Sequence, residues 1–405
     1  MGRHDESSCQ GDVSVPDGDG DRCVGRRSYL KLAGATAGSA SLLGRAAGAR
    51  AARAGDAFSR RVNAAEAGCD PTGRTPSDEA FRQAIAEDTL LTFPASTYRF
   101  TEPQVVLGLD SVGLLGEGEV SFAAPPGFDS NLLTIVGGSE LRFGGIDIDM
   151  TAAGAVPGLR LRARDRLFVE DVEFRGRGVY APTGEPVANA LSPVVGSPDG
   201  VGIVRNVRAR NDGPMGPEYR TATGRAGIWI GGATRGIVTI ADCHLQSFQN
   251  GGAYVSETAA EIRVVGGVYL DNDLAGIRIG ETSPANTVEN ARVEAGLGNV
   301  MASDSTSSDT MNTCAIRLEG GGSGTEVRGC ELALGAGVEG ESAIVAAHGY
   351  GGFTLRDTWI RAPAVVPRYE GWHHTVAPTL PHEDRSRRVW SAALLSVPIG
   401  RIPSD

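Results

Sequence analysis

Four short segments alternate apolar and polar residues, and each turns one chemically useful side chain away from its apolar side. Their outward residues are Trp229, Tyr254, Arg278 and Arg317, and a fifth segment presents Val345. Alternate residues of a strand point to opposite faces, so these side chains share one surface if the strands stack about 4.8 Å apart. Aromatic rings can lie flat on sugar rings, and guanidinium groups grip carboxylates or sulfates. The pattern therefore predicts a surface that binds an acidic polysaccharide.

In an alternative interpretation, the same four residues bind no ligand and only stabilise the fold. In it the aromatic rings lie under the 210–226 loop, and the arginines bond to local acids such as Glu319, which follows Arg317 on the same side. If the surface binds a polysaccharide, Glu319 would instead contact the ligand together with the two arginines. Both readings start from the same alternation, so only the contacts of these side chains can separate them.

Acidic residues near this surface allow two reactions. Glu257 and Glu281 occupy matching places after adjacent segments, and glycoside hydrolysis needs two carboxylates facing one bond. β-Elimination instead needs a cation to neutralise a uronate carboxylate and a base to remove the neighbouring proton. Asp271 or Asp273, with Glu257 or Glu281, could supply oxygen ligands for Ca²⁺, the candidate cofactor, and Tyr254 is a candidate base. Ordinary solvated surface is the alternative for each acid.

A repeated six-residue pattern indicates the elements that position these side chains. It reads apolar, any residue, Asp, Asn or Gly, two residues, apolar, and it occurs at 143–148, 169–174, 204–209, 240–245, 265–270, 288–293, 327–332 and 355–360. Its central positions are 145, 171, 206, 242, 267, 290, 329 and 357. Asp, Asn and Gly tolerate the left-handed backbone of a sharp bend, so each repeat predicts a bend between two strands.

The repeats and the alternating segments together predict coils of three short strands. One such coil cannot bury its own apolar face, so the coils must stack into a parallel solenoid. A sandwich or barrel would need hairpin turns at regular intervals, and the chain lacks them. Three longer loops, 175–200, 210–226 and 296–313, precede alternating segments, and we expect them to leave one corner as a wall beside Trp229. His244 and Tyr269 are predicted to face outward on the other sheet.

The segments 67–85 and 91–100 resemble the opening of pectate-lyase-superfamily proteins. There a Gly-Ala-x-Gly-Asp-Gly-x-Thr-Asp-Asp turn precedes a capping helix and a Phe-Pro-Ala-Gly-Thr-Tyr strand. This chain departs from that pattern at 70–73 and at Ser96, where glycine is usual. Ser77 is a suitable N-cap for a helix that ends near Asp88. With the coils, the resemblance covers 62–362 and implies an all-β, right-handed parallel β-helix with an N-terminal capping helix.

The resemblance also bears on function. In that family the outer face of this sheet is the usual glycan cleft, and some lyases use an arginine as the base, a role implied here for Arg278. The hydrolase motifs of the family, Asn-Thr-Asp, Asp-Asp and Gly-His-Gly, are missing. The superfamily includes lyases, hydrolases and non-catalytic adhesins, and the fold does not choose among them.

The N-terminal region predicts export. Arg26 and Arg27, followed by Lys31 and a weakly apolar run, match a twin-arginine signal that ends near residue 49. We therefore divide the chain into a signal peptide (1–49), an N-terminal cap (50–110), the β-helix (111–362) and an irregular tail (363–405). The mature chain has no segment suited to cross a membrane. Its predicted location is extracellular or at the cell surface.

The net charge and the cysteine positions bear on the ligand and on disulfide bonding. The net charge of -11 excludes nucleic-acid binding by phosphate neutralisation. Lys31 is the only lysine, and an acidic, lysine-poor composition resembles proteins of salt-loving archaea. The cysteines beyond the signal, Cys69, Cys243, Cys314 and Cys330, occupy separate coil positions and are predicted to be free thiols.

Three functions remain open at this point. The chain is a polysaccharide lyase or hydrolase acting outside the cell, a non-catalytic glycan-binding or adhesive surface protein, or a spacer without a ligand. Carboxylates converging beside Trp229 would favour hydrolysis. An arginine among acids with no second carboxylate opposite would favour a lyase, and a column covered by the 210–226 loop would favour the spacer.

Overall fold

The repeat bends have the backbone conformation that their residue types predict. In the computed structural model, φ is positive at Asp171 (57°), Asn206 (52°), Asp242 (51°), Asn290 (54°) and Asp357 (45°), and at the repeat glycines. Stacked bends also bond to each other, since the Asn206 amide donates to Asp171 Oδ1 at 2.7 Å. Each bend therefore joins two strand segments of one coil, as predicted.

The structure describes residues 58–179, 187–212, 224–280, 285–296, 313–335, 343–347 and 349–361, and the backbone of two strands at 374–376 and 388–390. Sheet A, the larger of two sheets, has 18 strands. They are β1 (Arg60–Asn63), β2 (Thr89–Arg99), β4 (Ser111–Ala123), β6 (Glu140–Asp149), β8 (Arg166–Arg175), β10 (Val201–Arg210), β12 (Ile237–Ala241), β13 (His244–Gln246), β15 (Glu261–Val265), β16 (Val268–Leu270), β18 (Thr287–Glu289), β19 (Arg292–Ala295), β21 (Thr325–Arg328), β22 (Glu331–Leu334), β24 (Phe353–Arg356), β25 (Thr358–Arg361), β26 (His374–Val376) and β27 (Arg388–Trp390).

Sheet B has nine strands and contains the alternating segments. They are β3 (Gln104–Leu107), β5 (Asn131–Val136), β7 (Gly158–Ala163), β9 (Leu191–Val195), β11 (Ile228–Ile230), β14 (Ala253–Val255), β17 (Leu274–Gly280), β20 (Thr313–Glu319) and β23 (Ile344–Ala346). Every pairing in this sheet is parallel and joins strands of successive coils. The chain is a right-handed parallel β-helix, which confirms the predicted fold class.

The interior is filled by inward residues of both sheets. On β11, β14 and β17 the two inward side chains of each strand are fully buried. Phe93, Tyr98, Phe100, Phe122 and Phe143 pack near the N-terminal end, where ring centroids lie 4.8 to 6.4 Å apart. Burying each such side chain contributes about 1.5–3 kcal/mol, so the stacked core stabilises coils that are too small to fold alone.

One helix lies within the described residues, α1 (Asp78–Ala84), at the N-terminal end of the β-helix, where Phe81 packs edge-on against Phe100. Ser77 precedes it as predicted but does not cap it, because Ser77 Oγ accepts the Asp70 N–H instead. Asp78 fixes the helix start by accepting hydrogen bonds from the backbone of Thr101 and Glu102. The helix ends before the predicted Asp88 because Ile85 is extended.

One repeat is displaced by a residue from its predicted register. Strand pairing sets Val265 beside Ala241, so Gly266 rather than Gly267 lies beside the bend residue Asp242. As a result Tyr269 pairs with Leu245, is fully buried, and does not face outward as predicted. Adjacent glycines at 266 and 267 both have positive φ, which is why the pattern could not choose between them.

The tail and the long loops are described in part. Strand β26 extends sheet A in parallel with β24, and β27 pairs antiparallel with β25, so the tail predicted as irregular contributes two strands. The three long loops connect β8 to β9, β10 to β11 and β19 to β20, so all three leave sheet A and lead into sheet B. The first is shorter than the predicted 175–200, because 191–195 form β9. Their central parts are outside the described residues, so the wall that they would form stays a prediction.

Candidate functional site

The predicted column of outward residues lies in register on sheet B. Trp229 pairs with Tyr254, Tyr254 with Arg278, Arg278 with Arg317, and Arg317 with Val345. Four of these residues keep partly exposed side chains, whereas Val345 is buried in a small cluster with Cys314 and Ala275, separate from the main core. The first four residues, which we call the sheet B column, therefore form a continuous row across four coils.

The indole of Trp229 lies over Gly231. A Cβ atom added to Gly231, two residues on and on the same face, would come within 2.5 Å of Cζ2 of the indole. The six-membered ring therefore occupies the space above Gly231, and the side chain is half-buried. A partly exposed indole on the outer face supplies the apolar aromatic surface that sugar stacking requires.

Arg278 is held by three neighbours. Its Cζ lies 3.9 Å from the centroid of the Tyr254 ring, and its Nη1 donates to Asn250 Oδ1 at 2.8 Å. Its Nε lies 2.8 Å from Glu319 Oε1 but the N–H does not point at that oxygen, so the contact is ionic rather than an aligned hydrogen bond. With 16% of the side chain exposed, Arg278 is fixed in position before any ligand arrives.

Glu319 is shared by both arginines of the column. The same Oε1 atom accepts a hydrogen bond from Arg317 Nε at 3.1 Å. Gly280 makes this sharing possible, because it pairs with Glu319 and a Cβ there would lie 2.8 Å from Glu319 Cβ. Among the described residues, Glu319 is the one carboxylate paired with these two guanidinium groups, so this part of the column carries one excess positive charge. Arg317, 34% exposed, carries its remaining donors towards the outer face.

The predicted pair of catalytic acids is described at one member only. Glu257 is exposed in the turn after β14, with φ of 51°, and Glu281 lies outside the described residues. Glu319 is already engaged by two arginines. The Glu257–Glu281 pair that hydrolysis would require therefore stays a prediction.

Asp271 and Asp273 do not fit a calcium site. They are 1% and 0% exposed, and their Oδ1 atoms accept the N–H groups of Gly296 and Leu274 at 2.9 Å. Across the described part of the chain, no three His, Cys, Asp or Glu side chains are grouped as metal ligands would be. A Ca²⁺ site needs six to eight oxygen ligands. Both aspartates instead brace the turn between β16 and β17.

Sequence reasoning missed two residues on the same face. Arg160 and Arg162 are exposed outward positions of β7, and Arg160 pairs with Thr134 on one side and Ser192 on the other. The signal was present in the same alternation, since Leu159, Leu161 and Ala163 are the buried inward residues of β7. The predicted column begins at Trp229 and therefore does not include these earlier arginines.

The predicted states of the cysteines and of His244 concern residues outside the sheet B column. All four described cysteines are buried free thiols, as predicted. Burial raises the pKa of Cys243 to about 12 and that of Cys69 to about 11, so neither forms a thiolate at neutral pH. His244 is half-buried on sheet A, and burial, then the neighbouring Arg208, lower its pKa to about 4.

Export stays a prediction, because residues 1–57 lie outside the described residues. None of the helices that the structure describes has the length and apolar character needed to span a membrane.

Comparisons with known proteins find distant structural likenesses only. No protein-family model matches the chain, and no curated protein matches it significantly. ORF18 of Geobacillus virus E2 is 12% identical with a TM-score of 0.45, over 81% of this chain and 63% of that one. The mannuronan C-5 epimerase AlgE4 A-module of Azotobacter vinelandii is 15% identical with a TM-score of 0.43, over 77% and 99%. The surface adhesin PfbA of Streptococcus pneumoniae is 12% identical with a TM-score of 0.39, over 82% and 100%. At such values these likenesses add nothing about the ligand of this chain.

Proposed function

We propose that this protein is exported and that the sheet B column binds an acidic polysaccharide. The observation that carries the proposal is the sharing of Glu319 by Arg278 and Arg317, which within the described part of the chain leaves one guanidinium charge unbalanced beside two aromatic rings. A carboxylate or sulfate on a sugar chain would complete this charge balance through charge-assisted bonds, which are among the strongest in proteins.

Each residue of the column has a distinct role in this proposal. Trp229 is the stacking platform, and Arg317 grips the acidic group with its outward donors. Arg278, fixed by Tyr254, Asn250 and Glu319, supplies positive charge without needing to reorder when the ligand binds. Pre-positioned groups lose less conformational entropy on binding, so this arrangement favours affinity.

Binding is better supported than catalysis. An arginine that is ion-paired and stacked on a ring stays charged, which suits neutralisation of a uronate rather than the removal of its proton. Tyr254 is the remaining candidate base for β-elimination, and its ring lies directly under the Arg278 guanidinium. The lyase is therefore a second candidate, in which Arg278 neutralises the uronate carboxylate and Tyr254, as the phenolate, removes the neighbouring proton. The electron pair of that C–H bond forms a C=C bond while the glycosidic oxygen leaves and takes a proton from water.

The test is titration calorimetry with polygalacturonate and with a neutral glucan of similar length. The protein should bind only the acidic polymer, and Arg317→Ala should bind it about tenfold more weakly because a charge-assisted contact is lost. The control is Arg356→Ala, which removes an arginine from sheet A and should change nothing. Equal binding of both polymers, or of neither, would overturn the proposal.

The same samples decide between binding and β-elimination. A lyase creates unsaturated sugar ends, which absorb in the ultraviolet, so absorbance should rise with time. A flat trace with tight binding would assign the non-catalytic role. A rising trace that Tyr254→Phe abolishes, without weakening binding of the polymer, would assign the lyase.

A further inference from the structure

Arg160 and Arg162 form a second cationic group on the outer face of sheet B. They are separated by one residue on β7, so both guanidiniums leave the same side of the strand, about 6–7 Å apart at their origins. Both side chains are exposed. The pair lies on the same surface as the sheet B column because the parallel ladder from β7 to β20 is continuous.

Neither arginine has a carboxylate partner within ion-pair distance among the described residues, unlike most of the described arginines of sheet A. There, Arg205 lies 2.6 Å from Glu170 and Arg328 lies 2.7 Å from Glu289. The chain has a net charge of -11, so acidic residues are plentiful, yet none of those that the structure describes is paired with Arg160 or Arg162. Two neighbouring positive charges repel each other, and a bound anion would relieve that repulsion.

The spacing between the two cationic groups sets the size of ligand that could reach both. Five strand steps separate β7 from β20, which corresponds to roughly 24 Å at the usual spacing of strands. The intervening strand β9 turns outward only Ser192 and Val194, which are small and each 6% exposed. Trp229 and Tyr254 follow on the next two strands. A polymer running across the strands would thus meet cations, small residues, aromatic rings and cations again.

We propose that Arg160 and Arg162 are a second subsite for an acidic group, so that sheet B binds one polymer along the helix axis. The inference rests on the proposed function and makes it more specific. The ligand carries carboxylates or sulfates repeatedly along its length, and full affinity needs a chain of at least roughly 24 Å. A glycan with a single acidic end would engage only Arg278 and Arg317.

The test compares two oligogalacturonates, one too short to span both groups and one long enough, by titration calorimetry in low salt. The protein should bind the long oligomer about tenfold more tightly than the short one. The double variant Arg160→Ala/Arg162→Ala should remove this gain and leave the short oligomer unaffected. Arg160→Lys/Arg162→Lys should recover part of the gain, because charge is kept while the bidentate geometry is lost.

A matched control, Arg263→Ala/Arg356→Ala, removes the same charge from sheet A and should preserve the length effect. Equal affinity of both oligomers for the parent, or a double variant that still prefers the long oligomer, would overturn the second subsite but leave the proposed function standing. An equal loss in the control would also overturn it, since net charge alone would then explain binding. Failure of the parent to bind either oligomer would overturn the proposed function itself.

Discussion

The two sheets of this β-helix both present arginines to solvent, but they balance those charges differently. On sheet A, most of the described arginines meet carboxylates of the same or a neighbouring coil, as in Arg205 with Glu170, Arg263 with Glu261 and Arg328 with Glu289, while Arg142 and Arg166 share Glu140. On sheet B, Arg278 and Arg317 share the one carboxylate of Glu319. Four described arginines of that face, including Arg160 and Arg162, thus have a single acidic partner.

We propose that this difference distinguishes a solvated surface from one that binds a ligand. Exposed ion pairs contribute about 0–1 kcal/mol each, so the paired arginines of sheet A add little stability individually and leave little net charge. Among the described residues, one carboxylate is paired with the four arginines of sheet B, which leaves an excess of three positive charges on the face that carries Trp229 and Tyr254. Because both faces belong to one repeated architecture, the fold does not impose this difference, which arises from the outward residues alone.

The largest effect is expected at the tryptophans. Trp229→Ala should weaken binding of a long oligogalacturonate roughly 30-fold, about 2 kcal/mol, as is usual for a tryptophan central to an interface. Trp359 is the matched residue of sheet A, since it lies outward on β25 with Arg361 5.7 Å above its ring. Trp359→Ala should leave affinity unchanged in the same titration. A similar loss in both variants would remove the distinction between the faces.

A smaller effect of opposite sign is expected at Glu319. Glu319→Gln removes the shared negative charge but keeps an oxygen that can accept the Arg317 N–H. The column then gains one net positive charge near the ligand, and affinity for the acidic oligomer should rise roughly fivefold, about 1 kcal/mol. Glu289→Gln on sheet A is the control and should bind like the parent. Weaker binding of Glu319→Gln would instead make this carboxylate a direct ligand contact.

The smallest effect concerns stability and His244 on sheet A. The folded pKa of about 4 lies below the ordinary value of 6.5, so the unfolded chain takes up the proton first as pH falls. The contribution of neutral His244 to the free energy of unfolding is therefore complete above pH 6.5 and declines as pH falls towards 4. His244→Gln should reduce the acid-induced fall in Tm by roughly 2 °C, about 1 kcal/mol. Identical pH profiles of Tm for parent and variant would show that His244 charges freely in the fold.

Much of the fold could be predicted because its bends restrict residue type. Positions such as Asp171 and Asn206 carry residues that tolerate positive φ, and the structure has that conformation there. The predicted position of one bend was wrong by one residue, at Gly267 instead of Gly266, because both glycines can adopt the conformation of the bend. That slip alone reversed the orientation of Tyr269, because side chains of a strand alternate between faces.

The order of the sheet B column was also predictable, whereas its contacts were not. Alternation gives the faces of Trp229 and Arg278, but nothing in it shows that Gly280 leaves room for Glu319 to reach two arginines. The contact of Arg278 with Asn250 depends on the path of the turn before β14. Such contacts join residues far apart in sequence, so they follow from stacking geometry rather than from local pattern.

The measurement that tests the charge difference most directly is arginine footprinting of the whole chain. An arginine-selective dicarbonyl reagent is applied with and without a long oligogalacturonate, and modification of each peptide is followed by mass spectrometry. Arg160, Arg162 and Arg317 should be protected by the oligomer, whereas Arg263 and Arg356 of sheet A should react at the same rate in both samples. Uniform protection of both faces, or protection confined to sheet A, would contradict the account.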